Sequence, residues 1–316
     1  MNTIKTKTVK QSLFSFIKFF IGWPLSLTAL YFVGVKTISQ LQNHPINLSE
    51  LSYSSLLFAS IFYLLYFFLR GYIWQRELFY LGYKLNTYES IYHWAASELK
   101  RYIPGNIWSF LGRGIRFGEK GVSKKDIVTS LILEAQLIVL GAFVISLPSV
   151  ISFVIPHISF LPPQLLMLII ILLSFSFLSA FFYQNVFYKY LKFKFIPMIF
   201  SPLSAQKHMS LLFLSSISYL FFGLGFYFSV ISFIHIPNHY YLITVSGLVL
   251  AYLLGYLSII TPSGLGVREL IASLVLSAIA NTSVVSFAVL FSRIFQTIIE
   301  LIFVGISYLL YKKSRT

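Results

Sequence analysis

Six apolar runs, at about 13–35, 51–69, 127–150, 164–188, 209–234 and 284–311, are each long enough to cross a bilayer. A crossing takes about 20 apolar residues for a hydrocarbon core of roughly 30 Å. Backbone polar groups inside that core must be bonded within the segment, so each run is predicted to be a helix. The gaps are too short and too apolar to hold a soluble domain. The chain is 57% hydrophobic and only 10% charged, which excludes an ordinary soluble protein. The prediction is a single all-α, polytopic integral membrane domain over 1–316.

The formal net charge of +15 is placed by topology. Lys5, Lys7, Lys10 and Lys18 precede or open the first run, and Arg70, Arg76 and Lys84 follow the second. Lys189, Lys192, Lys194 and Lys207 lie between the fourth and fifth, and Lys312, Lys313 and Arg315 close the chain; the alternate loops hold only Lys36. The positive-inside rule then puts both termini in the cytoplasm, in a multi-pass protein of the cytoplasmic (inner) membrane. The basic surface orients the protein and touches anionic lipid; nucleic acid is not an expected partner. The first run is too long for a signal peptide, lacks a small-residue cleavage pattern and is kept as an anchor. With no cysteine, disulfides, thiolate metal sites and Cys catalysis are excluded.

Two more segments are apolar but broken. One runs from Leu85 to Lys120 and breaks at Pro104-Gly105; the other runs from Tyr240 to Ala280 and breaks at Thr261-Pro262-Ser263-Gly264-Leu265-Gly266. Backbone groups freed by Pro and Gly are tolerated at membrane depth only in a protein-lined or wet cavity. Pro104 and Pro262 are half the chain length apart, and so, within a residue, are Glu134 and Arg293. Each half reads as span, span, broken hairpin, span, which predicts two inverted repeats, about 12–155 and 164–311. The arm from Val267 to Ala280 would be roughly 21 Å long at helical rise, short for a crossing. Re-entrant hairpins give six spans and full crossings give eight; the sequence leaves both open.

Charged residues at membrane depth are costly and mark working sites. Glu134 stands alone in the third run, and Arg293 and Glu300 interrupt the last. Ser286, Arg293, Gln296, Thr297 and Glu300 recur at helical spacing, so one stripe of that helix must face protein or water. Glu134 and Arg293 each lie roughly 13 Å from their helix starts, which predicts a Glu134–Arg293 pair between the halves. Such a pair serves a structural lock as well as a transport path. The expected central polar site is Glu134, Arg293, Gln296 and Glu300, with Glu134, Glu269 and Glu300 the well-buried acids.

A helix that starts after a break points free N–H groups and a positive dipole end at its mouth, where phosphate binds. The first such helix should begin near Asn106, after Pro104 and Gly105, and carry Arg113 and Arg116. The second should begin near Val267, after Pro262, Gly264 and Gly266, with Arg268 and Glu269 at its mouth. These nine residues form the expected lipid-headgroup set. Arg116, beside Glu119 and Lys120, reads more simply as an interfacial charge. Gly247, Ala251 and Gly255 form a small-residue face for close helix packing, and Glu98 with Arg101 forms a local pair. His44, His157, His235 and His239 have no partners at ligand spacing, so neither metal nor cofactor is expected.

The broken segments also carry a resemblance. Leu99-Lys100-Arg101-Tyr102-Ile103-Pro104-Gly105-Asn106-Ile107-Trp108, then Gly112-Arg113 and Glu134, is similar to one family's motif. So is Gly255-Tyr256 followed by Pro262-Ser263-Gly264-Leu265-Gly266-Val267-Arg268-Glu269. Both resemble the lysylphosphatidylglycerol synthase transmembrane-region family, the flippase-like domain of the multiple peptide resistance factor. The resemblance implies movement of lipid across the cytoplasmic membrane, with Arg113, Glu134, Arg268 and Glu269 at motif positions. The chain ends five residues after its last span, so no C-terminal synthase domain is expected and synthase activity does not carry over.

The expected function is flippase-like translocation of an anionic phospholipid or polyprenyl-linked glycolipid, without catalysis. Expected partners are that lipid and a lipid-modifying enzyme or glycosyltransferase. Two alternatives stand beside it. A membrane-embedded polyprenyl-phosphate enzyme would need carboxylates clustered around a divalent ion, which nine acids barely supply. A non-transporting scaffold for lipid or envelope-polysaccharide synthesis would use the midplane charges only as a lock.

Overall fold

The structure, a computed structural model, describes residues 51–102, 108–154, 203–258, 264–280 and 285–315, with isolated positions at 31, 35 and 38. The predicted fourth span, nearly all of the first, Pro104, Gly105, Asn106 and Pro262 lie outside the described residues. Within them the chain is helical, with no strand, as predicted. Eight α-helices follow in order: α1 (Tyr53–Tyr80), α2 (Thr87–Glu98), α3 (Trp108–Gly118), α4 (Lys124–Ser149), α5 (Ala205–Ile231), α6 (Tyr241–Leu257), α7 (Val267–Ile279) and α8 (Val285–Lys313). Side-chain caps mark the starts of α1, α2 and α4. Asn86 accepts the Glu89 N–H at 3.1 Å to open α2, and Ser123 accepts the Asp126 N–H at 3.1 Å to open α4.

The second predicted span, 51–69, is corrected by α1, which runs on to Tyr80. Apolarity ends at Arg70, but Arg70, Gln75 and Glu77 turn inward with Trp74 and Leu78, so the helix buries the charges that end the hydropathy signal. Arg70 is therefore not a cytoplasmic-loop charge. Among the described residues five helices are long and apolar enough to cross a membrane: Tyr53–Tyr80, Lys124–Ser152, Ala205–Ile231, Asn238–Leu257 and Val285–Lys313. The outward faces of α1 (Leu57, Phe58, Ile61, Leu65, Phe68) and α8 (Ile294, Ile298, Leu301, Ile302) are apolar and exposed, as lipid-facing surface must be. The protein is a polytopic helical membrane protein. Beyond α6, the hairpin arms α2, α3 and α7 are only 12, 11 and 13 residues long.

The centre is the antiparallel packing of α1 on α5. Ser52 N–H donates to the Ser232 carbonyl, Phe58 meets Phe228 at 5.4 Å between centroids, and Tyr66 meets Tyr219 at 5.9 Å. Helix α2 lies antiparallel on α8, where Tyr92 touches both Tyr308 and Tyr311. Helix α6 lies on α4, where Ser149 donates to the Ile243 carbonyl at 2.6 Å. Each principal contact has a counterpart when α1, α2, α3 and α4 are exchanged for α5, α6, α7 and α8. The small-residue face of α6 packs as expected. A Cβ at Gly247 would come 2.6 Å from Val275, and one at Gly255 would come 3.0 Å from the Arg268 Cβ, so α7 seats against it.

Candidate functional site

Two charged clusters lie inside this bundle. The first is built around Glu134, on the buried stripe of α4 that includes Ile127, Ser130, Leu137 and Gly141. One Glu134 oxygen accepts from Arg70 of α1 at 2.9 Å and from the Trp94 indole of α2 at 3.0 Å. The other accepts from Arg113 of α3. Arg113 also donates to Glu98 at 2.9 Å. Arg101, in the turn after α2, donates to Glu98 at 2.8 Å and to Glu300 of α8 at 2.5 Å. Three guanidiniums thus meet three carboxylates, in a chain of ion pairs tying five elements together. Trp74 stacks on Arg113 at 5.1 Å, which shields the cluster further.

The second cluster sits where α7 begins. Gly264 and Gly266 have φ of +69° and +85°, which only glycine adopts freely. A Cβ on Gly264 would also lie 2.6 Å from the Gly255 carbonyl oxygen, so the turn is pressed against the end of α6. Glu269 folds back to accept the Gly266 N–H at 2.7 Å and also accepts from Arg293 of α8. Arg268, 8% exposed, donates to the Gln296 amide oxygen at 2.7 Å. Phe222, Tyr252 and Phe226 surround its guanidinium at 4.8, 5.0 and 5.6 Å. Two guanidiniums here meet one carboxylate.

The predicted Glu134–Arg293 pair does not form. Glu134 belongs to Arg70 and Arg113, and Arg293 belongs to Glu269. Equal depth on two helices says nothing about which faces meet, and α4 and α8 turn their charges to different neighbours. Arg113 is 3% exposed and held by two carboxylates, so it does not stand at an open mouth. Arg116 is the interfacial charge expected of it, exposed and 3.7 Å from Glu119. The polar stripe of α8 points inward, with Ser286, Gln296 and Glu300 buried. Glu77 joins Glu134, Glu269 and Glu300 as a buried acid that sequence reasoning missed. Arg70, Trp94, Glu98 and Arg101 were missed as site residues too. Their spacing from Glu134 in sequence is irregular, and only the α1–α2–α4 packing brings them together.

An apolar groove of about 310 Å³ opens between α1, α2 and α8, lined by Leu64, Phe68, Tyr88, Ile91, Phe303 and Leu310 among others. It lies about one turn from Trp94 and Glu300. At the opposite end of α2, Glu89 bonds Lys120 at 2.5 Å and Tyr311 and Arg315 at 3.4 Å. Partial burial pushes the Glu89 carboxyl up, but Lys120, His93 and Arg315 outweigh it and hold it below its usual range. Among the described residues no three His, Asp or Glu side chains gather to hold a metal ion.

Helices with apolar outer faces, a glycine-supported turn at the start of α7 and buried arginine–carboxylate clusters define a membrane protein with a polar interior. The family model described as lysylphosphatidylglycerol synthase TM region matches residues 15–303, and the chain belongs to that family. That membership links it to membrane lipids. None of the curated proteins matches the chain.

Proposed function

We propose that the protein carries an anionic lipid headgroup between the leaflets of the cytoplasmic membrane, without catalysis, and that Arg268 is the residue that receives it. The observation carrying this reading is the charge excess at the start of α7. Arg293 takes the one carboxylate there, Glu269, and buried Arg268 has a neutral amide and three rings as its described contacts. A buried cation is costly without an anion, and a lipid phosphate supplies one. A site this enclosed admits the headgroup only when α7 shifts against α6 and α8. The first cluster, with its charges balanced, then acts as the lock between halves.

The reading takes the two halves as inverted repeats. Its support is the exchange pattern of contacts and the antiparallel packing of α1 on its equivalent α5. Equivalent helices of an inverted repeat must run in opposite directions. The groove between α1, α2 and α8 has the apolar character of an acyl-chain seat beside the polar interior. Both termini are assigned to the cytoplasm from the Lys and Arg bias.

Native mass spectrometry of the gently solubilised protein tests the cargo. Wild type should retain one anionic lipid class, which Arg268→Gln loses while keeping its fold. Equal lipid profiles in the two proteins, both folded, would sink the assignment of Arg268.

A further inference from the structure

Glu77 is fully buried in the last turns of α1, and neither carboxylate oxygen has a hydrogen-bond partner among the described residues. Among the described residues every other buried acid does: Glu134 is held by Arg70, Arg113 and Trp94, Glu269 by Arg293 and Gly266, and Glu300 by Arg101. The charges that reach Glu77 are Glu134, Arg70 and Arg113. Both arginines are already committed to Glu134, and the nearby cluster balances three positive charges with three negative ones without Glu77. The helices packed against α1 also carry Lys207 and His208 (α5), Glu89, His93 and Glu98 (α2), Lys124, Lys125 and Asp126 (α4) and Arg293, Glu300, Lys312 and Lys313 (α8), and none of them bonds Glu77. An ionised carboxylate cannot stay in such a place without a partner. Arg70 Nη1 and Arg113 Nε are themselves buried without a partner, so each guanidinium keeps a donor free to turn.

We propose that Glu77 is a proton-binding site: it holds a proton while Arg70 and Arg113 are bound to Glu134, and releases it when one of them turns to Glu77. The exchange balances, because the carboxyl gives up its proton to water as the guanidinium arrives, and the net charge of Arg70, Arg113, Glu134 and Glu77 together falls by the one unit that the proton carries away. A proton would then be the ion exchanged as the first cluster opens and closes. This second step rests on the transport reading above; the proton site itself does not.

Infrared spectroscopy of the full-length protein in lipid nanodiscs decides the proton site. Wild type at neutral pH should show the carbonyl stretch of a protonated carboxyl, and Glu77→Gln should lose it with an unchanged melting temperature. Wild type lacking that band, or Glu77→Gln retaining it in full, would overturn the proposal; the first result would mean an ionised group holding a cation. A Glu77→Gln protein that does not fold would also count against it, since an amide closely matches a protonated carboxyl. Coupling is read in vesicles of phosphatidylcholine and phosphatidylglycerol carrying a fluorescent phosphatidylglycerol. A pH gradient should speed leaflet exchange several-fold in wild type and leave Glu77→Gln unmoved. Exchange equally fast with and without the gradient would overturn proton coupling. Absence of any exchange would sink the transport reading, while the infrared result still decides Glu77.

Discussion

Glu134 accepts from Arg70, Arg113 and Trp94 at once, and that concentration of donors sets what its loss should do. Glu134→Gln removes the charge two buried guanidiniums share, and a broken buried pair costs about 3–5 kcal/mol. Trp94→Phe removes one neutral donor to an acceptor with other partners, so it should cost less, about 1 kcal/mol. Unfolding in detergent should rank the variants in that order; equal effects would mean that the cluster does not act as a unit. Glu134 was legible as a buried charge, because it stands alone in an apolar run. Its partners were not. Arg70 sits at the point where apolarity ends, so it reads as a loop residue although the helix buries it. Glu98 and Arg101 read as a local pair, which they are at 2.8 Å, yet Arg101 also reaches Glu300 in the last helix. Long-range partners depend on which helix faces meet, and no spacing in the sequence encodes that.

At the scale of elements, the break between α6 and α7 is set by two glycines and a small-residue face, and all three were readable. The glycines announce a turn, and the four-residue spacing of Gly247, Ala251 and Gly255 announces close packing. The capping of α7 by Glu269 and the ring enclosure of Arg268 needed the fold, since Phe222, Phe226 and Tyr252 come from two other helices. Gly264→Ala should cost about 1–3 kcal/mol in backbone strain alone, plus the clash with the Gly255 carbonyl oxygen 2.6 Å away. Gly121→Ala is the matched comparison, with φ of +82° but nothing within 4 Å of a new Cβ. It should pay only the left-handed cost of about 1–2 kcal/mol. Thermal melts that fail to separate the two would argue that α7 is not pressed onto α6.

For the molecule as a whole, Glu89 fastens the ends of α2 and α8 to Lys120, and the fastening depends on pH. Its carboxyl titrates lower in the folded protein than in the unfolded chain. The stability it adds is therefore present above the unfolded value and is lost as pH falls through the folded one. Acidification from the ordinary carboxylate range downward should loosen the C-terminal end, seen as faster proteolysis after Lys312 and Lys313. Glu89→Gln should be equally loose at neutral pH; a variant as protected as wild type would refute the clamp. The order of long helix, two short arms and long helix, seen twice among the described residues, was visible from the placement of Pro, Gly and apolar runs. Which charges fill the interior was visible only in part, because their partners lie on other helices, within one half for Arg70, Arg113 and Arg293 and across to the last helix for Arg101. The central claim is that the protein moves an anionic lipid through Arg268. Its most direct test is leaflet exchange of fluorescent phosphatidylglycerol in reconstituted vesicles, comparing wild type, Arg268→Gln and protein-free vesicles. Wild type should exchange the lipid well above the protein-free rate and Arg268→Gln should fall back toward it. Wild type matching the empty vesicles, or Arg268→Gln matching wild type, would contradict the account.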